Sequence, residues 1–205
     1  MFYKNRCLKL SLIVTLIFSV NMAMAEEKVY VYKDGDYSEN HGIWANIMPK
    51  EAAETGSIAF KPFFKPGYDG KGNAVKVVAD VSKAPNWIGL VVSVKENYWG
   101  EKPAEGLNLS KAKKLVFYAK GNQGGEQIQV KAAIASDKQY GDSAELPITS
   151  VWLTLKKDWE RFEIPINGID LSRVITPFVL VINQDHNQEK PITFFVDEIY
   201  YEVAE

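Results

Sequence analysis

Gln127-Ile-Gln-Val-Lys-Ala-Ala-Ile134 places Ile128, Val130, Ala132 and Ile134 on one side and Gln127, Gln129 and Lys131 on the other. A period of two is that of a strand with one buried face. Just upstream, Gly121-Asn-Gln-Gly-Gly125 reads as a turn. Before it, Leu115-Val-Phe-Tyr-Ala119 is apolar throughout, as expected of a strand inside a sheet. Working outward, 75–81 and 88–94 alternate, and 29–32, 151–155, 161–166, 178–182 and 193–203 are rich in β-branched and aromatic residues. Turns such as Gly67-Tyr-Asp-Gly-Lys-Gly-Asn73 separate them, and only 45–55 and 109–114 could form a short helix. About nine short strands without intervening helices predict one all-β domain, a single antiparallel β-sandwich of the jelly-roll kind. In the last strand Phe194 and Val196 share a face that Ile199 and Tyr201 continue only if one residue is inserted at Asp197-Glu198. The sequence therefore predicts a β-bulge there.

The first 25 of the 205 residues stand apart. Lys4, Arg6 and Lys9 precede an apolar run from Leu10 to Val20, and Ala23-Met24-Ala25 is a small-residue cleavage signal. Eleven apolar residues are too few to span a bilayer, which takes about 20. The expectation is a signal peptide over 1–25, a mature domain over 26–205 and a periplasmic or secreted location, with no membrane insertion after cleavage. Cys7, the one cysteine, leaves with the signal, so the mature chain carries no disulfide. Its 21 basic and 26 acidic side chains give a formal charge of −5, unsuited to the many phosphate contacts of nucleic-acid binding. A composition of 46% hydrophobic and 24% charged residues excludes a disordered or collagen-like chain.

Several short motifs follow one another in order: Asn86-Trp87-x-Gly89, Asn97-Tyr98-Trp99-Gly100, Leu109-Ser-Lys-Ala-Lys-Lys-Leu-Val-Phe-Tyr-Ala-Lys-Gly121 with Gly124-Gly125-Glu126, Asp142-Ser143-Ala144, Leu155-x-x-x-Trp159, Asp170-Leu171-Ser172 and Phe194-Phe195-Val196-Asp197-Glu198-Ile199. From about Val29 to Glu202 the chain thereby resembles galactose-binding-like jelly rolls, among them the carbohydrate-binding modules attached to bacterial glycanases. The resemblance implies a non-catalytic sugar binder, and a structural calcium ion between the first strand and the aspartate of the last. There are two departures: Lys120 stands where an arginine is common, and Glu198 where a second aspartate is usual.

A sugar ring packs its C–H face on an aromatic ring while its hydroxyls need polar partners around that face. Loop aromatics are therefore the first candidates. Trp99, in the polar loop with Tyr98, is the foremost, with Trp87 and Tyr140 beside it. Trp152 and Trp159, within or at the start of apolar strands, are expected in the core, and Trp44 in an irregular segment. Glu126 after two glycines, Asp142, and Asn183, Asp185 and Asn187 after a buried strand offer carboxylates and amides for sugar hydroxyls. Each could equally cap a turn. Asp34, Asp36 and Asp197 are the candidate ligands for calcium, which prefers oxygen donors. Two other functions fit the composition. One is a structural or protein-interaction module of a secreted assembly. The other is a small secreted glycoside hydrolase, which would require two facing carboxylates.

Overall fold

The computed structural model describes residues 27–35, 44–83, 86–103, 106–188 and 190–204. The predicted signal peptide, Asp36 and His41 lie outside them. The strands are β1 (Glu27–Tyr32), β2 (Trp44–Met48), β3 (Ile58–Phe64), β4 (Ala74–Asp80), β5 (Trp87–Ser93), β6 (Ala112–Gly121), β7 (Gln127–Ala132), β8 (Ile148–Thr149), β9 (Leu153–Thr154), β10 (Glu160–Pro165), β11 (Phe178–Asn183) and β12 (Pro191–Val203). Two short helices, α1 (Lys50–Glu54) and α2 (Gln184–Asn187), interrupt them.

The strands form two antiparallel sheets, ordered β10-β6-β12-β4-β3 with β1 on β12, and β2-β5-β11-β7-β8 with β9 on β7. This is the jelly-roll sandwich expected from the alternation. Ile88, Leu90 and Val92 of β5, Phe178, Leu180 and Ile182 of β11 and Ile128 and Val130 of β7 face inward. They meet Leu115, Phe117 and Ala119 of β6, Phe194 and Val196 of β12 and Val75 and Val77 of β4. Burying each such Val, Leu, Ile or Phe side chain contributes about 1.5–3 kcal/mol.

The predicted bulge is present, and it explains the length of β12. Up to Val196 this strand pairs with β4, from Ile199 it pairs with β1, and the register against β6 slips between Asp197 and Tyr200. Glu198 takes a left-handed conformation at the slip (φ 47°). Three expectations need correction. Residues 44–48 and 58–64 are strands, β2 and β3, and the helix expected over 45–55 shrinks to α1. Residues 109–114 turn directly into β6 instead of forming a helix. The strand expected over 151–155 is reduced to β9.

Candidate functional site

Because inward and outward residues alternate, the outer face of the second sheet carries Asn46 and Met48 from β2, Trp87, Gly89, Val91 and Ser93 from β5, Val179, Val181 and Asn183 from β11, and Gln127, Gln129 and Lys131 from β7. Trp87, 40% exposed, opens β5 directly opposite Asn183. Its indole lies along the strand over Gly89. A Cβ at position 89 would stand 3.0 Å from Trp87 Cζ3. The missing side chain therefore leaves room for the ring beside the strand, with Met48 and Val181 opposite Gly89 on the two neighbouring strands.

Beyond Asn183 the chain turns into α2, where Asn183 Oδ1 accepts from His186 N at 3.1 Å and lies 2.8 Å from His186 Nδ1. The imidazole stacks on Trp152, ring centres 3.8 Å apart and 14° from parallel. Trp152 precedes the inward-facing Leu153 of β9 and is half-buried on this outer side, not in the core as expected. Its neighbour in the sequence, Leu153, carried the apolar signal that misplaced it. Asp185 is exposed in α2. Asn187 is buried and accepts from Gln127 N while donating to Gln127 O, both at 2.9 Å, so it fastens α2 to β7. Glu126, 7% exposed, accepts from Gln123 N at 2.8 Å through Oε1, and its Oε2 has no hydrogen-bond partner among the described residues. That oxygen lies where a Cβ at Gly121 would sit. Glu126, His186, Asn187 and Lys190 line a depression of about 470 Å³ beside the Trp152 pair. Trp87, Glu126, Asn183, Asp185 and Asn187 thus gather at one end of the sheet.

The other candidates lie at the far end of β5, six residues or about 20 Å along the strand. Tyr98 is buried against the core, its hydroxyl donating to Lys102 O and to Tyr140 O. It braces two loops, and its ring is not available to a ligand. Tyr140 is half-buried, with its N–H donating to Gly100 O at 3.2 Å. Asp142 is 4% exposed. It accepts from Ile175 N (2.6 Å), Thr176 N (3.1 Å), Ala135 N (2.7 Å) and Thr176 Oγ1 (2.6 Å). All its lone pairs serve the loop, which removes it as a sugar ligand and from any carboxylate pair with Glu126 or Asp185. Trp99 is half-buried and lines a depression of about 600 Å³ with Asn46, Met48, Lys50, Phe60 and Glu96 along β2. It therefore touches the face from the opposite corner to Trp152, across Met48 and Asn46. Trp44 opens β2 opposite Ser93.

Asp197, 2% exposed, accepts from Tyr68 N (2.7 Å) and Glu198 N (2.8 Å). Burial pushes its carboxyl up to about 6. The two amides pull the other way, and the Glu198 and Asp34 charges add to the rise. Asp34 lies over Gly72 and Asp197 against Gly67, so both carboxylates meet the 67–73 turn, whose Lys71 carbonyl also faces Gly67. No group of three or more Asp, Glu, His or Cys side chains gathers as a metal site among the described residues.

A jelly-roll sandwich with an exposed tryptophan on an open sheet face edged by amides is an arrangement suited to a carbohydrate-binding module. Residues 28–202 match carbohydrate binding domain 30, so the chain belongs to carbohydrate-binding module family 30. It is similar to a solved family 30 module (18% identity, TM-score 0.56, covering 87% of this chain and 99% of that one) and to the family 30 module of a cellulosomal cellulase of Clostridium thermocellum (18%, 0.54, 87% and 99%). It is also similar to a family 11 module of Clostridium thermocellum solved with a β-1,3-1,4-mixed-linked tetrasaccharide (18%, 0.51, 84% and 94%). No curated protein matches the sequence.

Proposed function

We propose that this carbohydrate-binding protein holds an extended, neutral β-glucan across the outer face of the second sheet, without catalysing its cleavage. The observation that carries the reading is the exposed Trp87 indole packed against Gly89 and flanked by Asn183. The platform offers an apolar plane to a pyranose ring, and Asn183, Gln129 and Asp185 stand where hydroxyls would need partners. Trp152 on His186 and Trp99 extend the aromatic track to opposite corners. Polymer binding suits an open face, because a linear chain can enter and leave at both sides. The mixed-linked tetrasaccharide on the family 11 neighbour supports the ligand class. The non-catalytic reading draws support from Asp142, whose hydrogen bonds to the loop withdraw it from any carboxylate pair across the site. Affinity electrophoresis in mixed-linkage β-glucan, xylan and mannan tests the reading. Retardation in the β-glucan gel that disappears in Trp87→Ala supports it, and equal retardation of that variant overturns it.

Export and calcium belong to the same reading. Secretion of the full chain with a mature N-terminus at Glu26 would establish cleavage of residues 1–25. Asp34, Asp197 and carbonyls of the 67–73 turn would supply oxygen donors to calcium, which would relieve the repulsion between the two carboxylates and tie β12 to the turn. Asp36 lies outside the described residues. A rise in Tm on adding calcium, absent in Asp197→Asn, is the expected result.

A further inference from the structure

The outer face of the first sheet holds a row of side chains running across the strands. Lys61 of β3 stands directly opposite Lys76 of β4, Lys76 opposite Phe195 of β12, and Phe195 opposite Lys120 of β6. Trp159, adjoining the β10 end of the Glu160–Ala119 pair, completes it. The rings hold the ammonium groups in place. Lys76 Nζ lies 5.1 Å from the centre of Phe64 and 6.0 Å from Phe195, and Lys120 Nζ lies 5.1 Å from Trp159 and 5.3 Å from Phe195. Like charges directly opposite across a strand pair destabilise a sheet. Yet none of the three lysines forms an ion pair among the described residues. Asp197, on the same face two residues from Phe195, turns its oxygens to the amides of Tyr68 and Glu198.

We infer that this row is a second binding surface, for an acidic polysaccharide bearing one carboxylate per sugar. Three cations spread over three strand spacings, about 14 Å, give one positive charge every 5–10 Å. Duplex DNA, with one negative charge per about 1.7 Å, is far denser than this row. A membrane surface presents charge in two dimensions, whereas the row is one residue wide. A polyuronate matches the spacing and brings pyranose faces to the exposed part of Trp159. The surface lies on the opposite side of the sandwich from Trp87, so a neutral and an acidic glycan could be held together.

The test is affinity electrophoresis of the full chain in polygalacturonate, with mixed-linkage β-glucan, duplex DNA and anionic vesicles as parallel arms. The expected result is retardation by polygalacturonate that weakens at least tenfold in the Lys76→Gln, Lys120→Gln double variant and vanishes in high salt, with β-glucan retention unchanged. Lys61→Gln, at an exposed position, should weaken it in the same direction, and keeps the test open if the double variant is unstable. No retardation of the wild type by polygalacturonate, or undiminished retardation of a folded variant, overturns the inference. Equal retention by DNA or vesicles overturns the choice of a glycan. Because Trp87→Ala should weaken β-glucan but not polygalacturonate binding, failure of one face is distinguishable from failure of the other.

Discussion

Asp142 accepts from three buried backbone amides and one hydroxyl, so Asp142→Ala strands those donors in a dry environment. At about 1–3 kcal/mol for an unsatisfied buried group, a loss of about 3–5 kcal/mol is expected, read as a lower urea midpoint. A variant as stable as the wild type would show that water replaces the carboxylate. Trp87 differs because its ring is exposed and touches little of the core. Trp87→Ala should weaken β-glucan binding roughly 30-fold, about 2 kcal/mol, with an unchanged Tm. Trp99→Ala and Trp152→Ala, at the corners of the track, should each cost less. Residue type placed both Asp142 and Trp87 among the candidates, and what separates them is the partners each side chain meets after folding.

Among the elements, β5 shows how a missing side chain shapes a site. Gly89→Ala leaves the backbone unstrained but presses on Trp87 Cζ3, tilting the platform. Weaker glycan retention at an equal or higher Tm is expected, since alanine restricts the unfolded chain more than glycine. A variant that binds as tightly as the wild type would show that the indole need not pack against position 89. The motif Asn86-Trp87-x-Gly89 was legible in the sequence, whereas the ring lying on that glycine was not. The bulge in β12 was legible because a one-residue insertion changes the parity of a two-residue period. β2 and β3 carry no clean strand signal because Pro49 and Pro62 interrupt or border their apolar patterns. Sheet pairing at the edges overrode the local signal.

At the scale of the whole molecule, the turn at 67–73 and the terminal strands meet at Asp197. A carboxyl raised from 3.8 to about 6 in the folded state binds its proton more tightly there than in the unfolded chain. It therefore contributes stability below about pH 4 that is lost as the pH rises through about 6. In a chelator, the stability of the wild type relative to Asp197→Asn should fall across that window. With calcium present the trend should reverse, because the ion needs the ionised carboxylate and stabilises the fold increasingly above pH 6. Denaturant midpoints measured from pH 4 to 8 with and without calcium check both signs. Parallel curves would remove Asp197 from the proposed metal site.

The sequence by itself determined the sandwich, its turns and the bulge, because a period of two and the placing of glycines and prolines act within a few residues along the chain. It also named candidate aromatics, amides and carboxylates for a site. Which aromatics share a face was decided only by tertiary structure, since the strands that bring Trp87, Asn183 and Trp152 together are paired across distant parts of the chain. The same pairing placed Trp99 at the far corner, enclosed Tyr98 and Asp142, and lined up Lys61, Lys76 and Lys120 on the opposite sheet.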